Sequence, residues 1–161
     1  MRLLFISFLC SLSFFSIDIS EVRKNYSAAW DNPEITEELY QALSNSLVTN
    51  DNLLQAYKGA VLTLKAKHSK TIKDKKTFFK EGVVLLESSI ASNPKNIEIR
   101  FIRLSIQEYA PKIVRYNSNM EEDKLFIQQN YSTSKNEEVK KLIKNYIASS
   151  TYFTEAEKQL F

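Results

Sequence analysis

The sequence predicts an all-α protein, and three observations support that prediction. The 161 residues contain only two glycines and three prolines, too few turn residues for the repeated reversals of a β-sheet protein. Apolar residues recur at the 3.6-residue spacing of a helix face along most of the chain. Residues that favour helix starts precede these stretches. The expected architecture is an antiparallel helical-hairpin array of about eight helices, short ones included.

The first sixteen residues have the pattern of a secretory signal peptide. Arg2 precedes an apolar run over residues 3–15, as a charged n-region precedes a ~7–15-residue h-region. Asp18 ends the run before it reaches the ~20 residues that a transmembrane helix needs. We therefore expect residues 1–16 to be removed on export. A secreted or periplasmic domain without a membrane span, residues 17–161, would remain; an uncleaved anchor and an amphipathic core helix are the alternatives.

Local signals predict the starts of the first three helices. Asp18 is expected to cap a helix that ends near Trp30. Asn32–Pro33 predicts the second start, because a proline at the first helical position loses no hydrogen bond. Asn50 is expected to open the third helix.

A lysine-rich segment follows the third helix. We expect it to be a solvated loop, although it also has the composition of a surface that binds anions. Its cations are Lys65, Lys67, Lys70, Lys73, Lys75 and Lys76. His68, the only histidine of the chain, lies among them and is expected to be solvated.

Residues 78–109 predict two helices joined by a tight turn. Pro94 cannot continue the first helix, and it pushes the preceding residue out of the α region. Asn96 can accept hydrogen bonds from the free amides of a second helix, which begins at Ile97. Pro111 then ends that helix.

Small, large and small residues followed by a proline occupy the first of these two helices. They are Gly82, Leu86, Ser89 and Pro94. This pattern resembles the second helix of a tetratricopeptide repeat, and residues 54–60 resemble part of the first helix if residues 68–74 are an insertion. The likeness covers residues 52–109. The chain over residues 18–127 is also similar to small secreted helical proteins of bacteria that have no assigned activity.

The tetratricopeptide resemblance implies a concave groove for a peptide or protein partner. The residues expected to line it are Leu53, Ala56, Ala60, Thr63, Glu98, Phe101, Ser105 and Glu108. The alternative is that the C-terminal helices of the same chain pack against this face.

A polar strip runs along the otherwise apolar helix of residues 97–109. On a helical wheel it spans about 60°. Its residues are Arg100, Arg103 and Gln107. We expect a buried ion-pair network with Glu81, Glu87 or Asp123, because an unpaired buried guanidinium is costly. The alternative is a site for a carboxylate or phosphate.

Three serine or threonine residues, each with a glutamate three positions later, predict the C-terminal helix starts. The pairs are Ser118 with Glu121, Ser134 with Glu137, and Thr154 with Glu157.

The amino-acid composition argues against several classes of function. The only cysteine, Cys10, lies in the predicted signal, so we expect no metal site and no thiol nucleophile. No Gly-rich loop is present to hold a nucleotide, and a net charge of +3 is too small to indicate nucleic-acid binding. We expect neither a cofactor nor a catalytic residue. The predicted function is an exported protein-interaction or scaffold module; a small carboxylate-based hydrolase and an apolar-ligand carrier of the cell envelope are the alternatives.

Overall fold

The computed structural model describes residues 17–45 and 51–161, so the predicted signal peptide and Asn50 lie outside the described residues. Within those ranges the chain is all-helical, which confirms the predicted fold class. The α-helices are α1 (Ile19–Ala29), α2 (Pro33–Asn45), α3 (Asn52–His68), α4 (Ile72–Ser92), α5 (Ile97–Tyr109), α6 (Met120–Asn130), α7 (Glu137–Ser149) and α8 (Glu155–Lys158). A 3₁₀ turn, Lys112–Val114, follows α5. None of the helices in this part of the chain has the length and apolar character to cross a bilayer.

Side-chain caps begin most of these helices. The Asp18 carboxylate accepts a hydrogen bond from the Ser20 amide at the start of α1. Asn32 and Asn96 cap α2 and α5 in the same way. Asp51 is the N-cap of α3. A complete capping box of Thr154 with Glu157 starts α8, as the sequence predicts.

Two predicted caps are wrong by one or two residues. Asn119 occupies the cap position of α6. The Ser118 hydroxyl donates a hydrogen bond to the Asn119 side chain and does not accept one from a backbone amide of α6. Asn136, rather than Ser134, caps α7. The Ser134 amide closes a turn onto the Tyr131 carbonyl, which keeps Ser134 in the connection after α6. Neighbouring polar residues have similar capping propensity, so the local chain path selects between them.

Most of the lysine-rich segment is helical, which corrects the expected loop. α3 continues to His68, and α4 begins at Ile72 with Thr71 as its N-cap. Only three residues, 69–71, connect the two helices. Lysines in the last turn of α3 are favoured by the helix dipole, and Lys65 also pairs with Glu37 at 2.8 Å.

α3 and α4 cross with their backbones in contact at the two glycines of the chain. A Cβ atom built on Gly59 would lie 2.7 Å from the Gly82 carbonyl oxygen, and one built on Gly82 would lie 2.5 Å from the Gly59 carbonyl oxygen. Neither distance is compatible with a side chain. The absence of Cβ atoms therefore sets how closely α3 and α4 approach.

α5 is the central helix of the fold. All of its residues from Glu98 to Gln107 are buried, and α5 contacts α3, α4, α6 and α7. α1 packs on α2 and α3 and meets α7 through hydrogen bonds from Ser20 and Arg23 to Glu138. The first and seventh helices therefore touch, and the helical array closes on itself around α5.

Candidate functional site

The residues expected to form the concave partner groove do not form one open surface. Five of them are buried: Ala56, Ala60, Glu98, Phe101 and Ser105. Leu53, Thr63 and Glu108 are partly buried. The Tyr146 ring of α7 packs edge-on against Phe101, with ring centroids 5.4 Å apart, and Arg23 of α1 covers Glu98. α7 thus packs on part of this face, as the alternative with C-terminal helices expected, whereas the cover from α1 was not anticipated.

The Glu98 side chain of α5 forms hydrogen bonds with residues of α1 and α3. Its carboxylate accepts two hydrogen bonds from Arg23, at 2.7 and 2.8 Å, and one from the Tyr57 hydroxyl at 2.7 Å. The hydrogen bond to Glu98 raises the pKa of Arg23 above its ordinary value. Burial, together with the charge of Glu98, raises the pKa of Tyr57. Arg23 therefore stays charged and Tyr57 stays protonated, so this cluster stabilises the contact of α1 with α3 and α5.

Glu108 anchors the connection between α7 and α8. Its carboxylate accepts hydrogen bonds from the Thr151 amide at 2.9 Å, the Tyr152 amide at 3.2 Å and the Ser150 hydroxyl at 2.8 Å. The Tyr146 hydroxyl also donates to Glu108. These donors satisfy the carboxylate within the chain, which gives Glu108 a structural role.

The polar strip of α5 forms an ion-pair network with α4 and α6. Asp123 is 0% exposed and accepts from Arg103 at 2.7 and 2.8 Å and from Arg100 at 2.9 Å. Arg103 also pairs with Glu87 at 3.0 Å, and Arg100 pairs with Glu122. Three carboxylates therefore surround two guanidinium groups, and neither arginine is available as a site for an external anion.

Gln107, the third residue of the polar strip, does not join that network. It is buried, and its side-chain amide has no hydrogen-bond partner among the described residues. Glu81, the remaining acidic partner considered for the strip, is exposed. In this part of the chain no three His, Cys, Asp or Glu side chains are grouped closely enough to hold a metal ion.

A cleft of about 890 Å³ lies on another side of the molecule. We call it the lysine-rimmed cleft. It lies between the α3–α4 hairpin and the segment from the end of α5 through the 3₁₀ turn. Its lining consists of Trp30, Thr63, Leu64, Ala66, Lys67, Ile72, Lys75, Lys76, Phe79, Ile106, Tyr109, Ala110, Pro111, Ile113 and Val114. Thr63 is the one predicted groove residue among them.

Exposed apolar side chains are concentrated at this cleft. Ile113 is 89% exposed, Ile72 72%, Tyr109 48% and Val114 39%. These are four of the seven large apolar side chains that are exposed in the described part of the chain. Leu64 and Ile106 are buried and form its floor.

Local backbone signals create the two walls of the cleft. Thr71 caps α4 and leaves Ile72 as its first residue. On the other wall Pro111 precedes the 3₁₀ turn, and Arg115 then adopts a left-handed conformation with φ of 50°. The turn ends there, and Ile113 and Val114 are left exposed between α5 and α6.

Two further patterns in the sequence relate to this cleft. Ile72 in the lysine-rich segment and Phe79 just after it are two helical turns apart, which is the spacing of one helix face. Ile113 and Val114 are adjacent apolar residues directly after a helix-ending proline. Ile72 lies in the segment that was expected to be a loop, and no local rule relates Ile72 and Phe79 to Ile113 and Val114.

Comparison of the chain with protein-family models, with curated proteins and with solved structures found no match. Function must therefore be inferred from the geometry of the chain.

Proposed function

We propose that the chain is an exported helical interaction or scaffold module that binds a peptide or protein segment in the lysine-rimmed cleft. The observation that carries this proposal is the convergence of four exposed apolar side chains on one concave site. Burying a side chain the size of isoleucine stabilises a complex by roughly 1.5–3 kcal/mol, and clustered exposed apolar surface is typical of interaction sites. A partner that covers these side chains would remove their apolar surface from water.

The α3–α4 hairpin supports the repeat-like aspect of the proposal. Gly82, Leu86 and Ser89, which carry the tetratricopeptide resemblance, are buried. Gly82 crosses Gly59 of α3, and the Ser89 hydroxyl is 3.5 Å from the Gln55 side chain of α3. Small residues at these positions allow two helices to pack closely and present a groove beside them, as the proposed binding mode requires.

Export is supported by the first sixteen residues. The test is mass spectrometry of the protein recovered from the native cell envelope or culture medium. We expect its N-terminus to lie between about residues 14 and 19, close to the start of α1, because a cleaved signal ends before the folded domain begins. An intact Met1 on the protein in the cytoplasm would contradict export.

Selection from a displayed random-peptide library tests the cleft. We expect the selected peptides to share apolar positions at helical spacing and to lose at least about tenfold in affinity with Ile113→Asp, because a carboxylate would replace buried apolar area. Val84→Asp is the matched control, since Val84 is 61% exposed on α4 and lies outside the cleft. Failure to enrich any peptide, or equal losses in both variants, would contradict the proposal.

Carriage of an apolar ligand is the second candidate, and the apolar floor of the cleft favours it. A fatty acid that binds with micromolar affinity and is lost with Ile113→Asp, in a protein that selects no peptide, would replace the interaction module with a carrier. The hydrolase alternative has less support, because the buried carboxylates of Glu98 and Asp123 are both engaged by arginines.

A further inference from the structure

We infer that the segment bound in the lysine-rimmed cleft is an acidic amphipathic helix. This inference rests on the proposed function and specifies the chemistry of its partner. Two features of the described residues carry it: the cations at the cleft without carboxylate partners, and the spacing of lysine and apolar side chains along α4.

Only one of the three lysines that line the cleft is paired with a carboxylate among the described residues. Lys67 pairs with Asp31 at 3.0 Å. Lys75 and Lys76 are exposed and make no ion pair among the described residues. No Asp or Glu occurs in residues 1–16 or 46–50, so the acidic side chains of the chain all belong to the described residues. Lys75 and Lys76 are therefore free to pair with carboxylates of a partner.

The charge near the cleft is also unbalanced beyond its lining. Lys70 in the α3–α4 connection, Lys73 in the first turn of α4 and Lys112 at the start of the 3₁₀ turn are exposed and have no ion pair within the described chain. Such a group of cations around one concavity attracts an acidic segment and repels a basic one.

The part of α4 that lines the cleft has two lysines between two apolar residues on one helix face. Ile72, Lys75, Lys76 and Phe79 line the cleft. Their spacing of three, four and seven residues covers two helical turns, or roughly 10 Å along the axis. A partner helix laid beside α4 can bury its apolar face between Phe79 and Ile113. Glu or Asp residues on its flank then reach the two lysines.

A helix fits this site better than an extended strand or a membrane surface. The described residues contain no strand, so they offer no sheet edge to which a strand could add. The apolar side chains surround a concavity with a buried floor of Leu64 and Ile106. A concavity accepts the ridge of a partner helix, whereas a helix bound to a bilayer presents a continuous apolar face to the lipid.

Two synthetic peptides of about 18 residues test the inference. They share one apolar helix face and carry either Glu or Lys on the polar face, and fluorescence anisotropy measures their binding to the full chain. We expect the Glu peptide to bind at least about tenfold more tightly than the Lys peptide at low salt, with a smaller ratio at high salt.

Reversing the charge of two lysines tests whether they cause the preference for the Glu peptide. Lys75→Glu combined with Lys76→Glu should weaken the Glu peptide at least about tenfold and reverse the preference in favour of the Lys peptide. The matched control combines Lys24→Glu with Lys141→Glu. Both lysines are exposed, lie outside the cleft and lack ion pairs in the described chain, and the change in net charge is the same. The control should retain the affinity and preference of the wild type.

The outcomes separate this inference from the proposed function. If both peptides bind equally and Ile113→Asp weakens both, the acidic partner is refuted and the peptide-binding cleft stands. If neither peptide binds, the inference fails, and the library selection decides the proposed function independently. If the protein instead binds phosphatidylglycerol vesicles through Lys75 and Lys76 but binds neither peptide, the cleft faces an anionic membrane and the inference is overturned.

Discussion

Gly82→Ala is the substitution with the most direct structural consequence. The new Cβ atom would lie 2.5 Å from the Gly59 carbonyl oxygen, 3.0 Å from Thr63 Cγ2 and 3.1 Å from Leu62 Cβ. The nearest obstruction is backbone, so no side-chain rotation can remove it. α3 and α4 must move apart by about 0.9 Å for the first contact to reach an ordinary 3.4 Å.

Two opposing effects determine how much the free energy of unfolding falls in Gly82→Ala. Alanine is about 1 kcal/mol more favourable than glycine inside a helix. Overpacking of a well-packed core costs typically 1–3 kcal/mol, and more when backbone must move. Separating the helices also loosens the packing of Ala60 and Leu86, both fully buried. We therefore expect the free energy of unfolding to fall by about 2 kcal/mol.

Urea unfolding followed by far-ultraviolet circular dichroism at 25 °C measures this loss. Ser88→Ala is the matched control, because Ser88 is exposed on the same helix and its replacement tests helix propensity without a steric change. The control should be unchanged or stabilised by up to about 0.5 kcal/mol. A Gly82→Ala protein at least as stable as the wild type would refute the close crossing of α3 and α4.

Three further predictions concern the core, the ion-pair network and the last helix. Leu86→Ala should lower the free energy of unfolding by about 2–5 kcal/mol in urea titrations, because a fully buried side chain leaves a cavity; a loss below about 0.5 kcal/mol would contradict its burial. Asp123→Asn should cost about 3–5 kcal/mol, because two buried arginines lose their shared anion. In a double-mutant cycle it should couple to Arg103→Met by at least about 0.5 kcal/mol, and additive losses would count against the network. Hydrogen bonds from Thr154 lower the pKa of Glu157 from 4.5 to about 2, so the stabilisation of α8 is present above pH 4.5 and is lost as the pH falls towards 2. An NMR titration midpoint near 4.5 for this carboxyl in the folded protein would disprove that.

Local chemistry made most of the helices predictable. Asp18, Asn32 and Asn96 each satisfy free amides of their own helix, and Pro111 cannot continue α5, so these boundaries depend on neighbouring residues alone. The helical content follows from the same rules and from the scarcity of glycine and proline.

The site could not be predicted in the same way, because it depends on which helices meet. Glu98 in the first turn of α5 is favoured by the helix dipole whether it faces solvent or Arg23, so its sequence position does not distinguish a partner-binding residue from a buried one. Ile72 and Ile113 belong to segments that the sequence separates and the fold brings to one cleft. Their relation exists only in the tertiary structure.

The contact between α1 and α7 also bears on the order in which the chain can fold. Arg23 and Glu138 are 115 residues apart in sequence, so their hydrogen bond cannot form until nearly the whole chain has been synthesised. Contacts of such separation carry a large loop-closure entropy and slow the rate-limiting step of folding. α1 therefore lacks one of its partners throughout most of synthesis. α1 can pack on α2 and α3 during that time, and its contact with α7 forms only when α7 emerges.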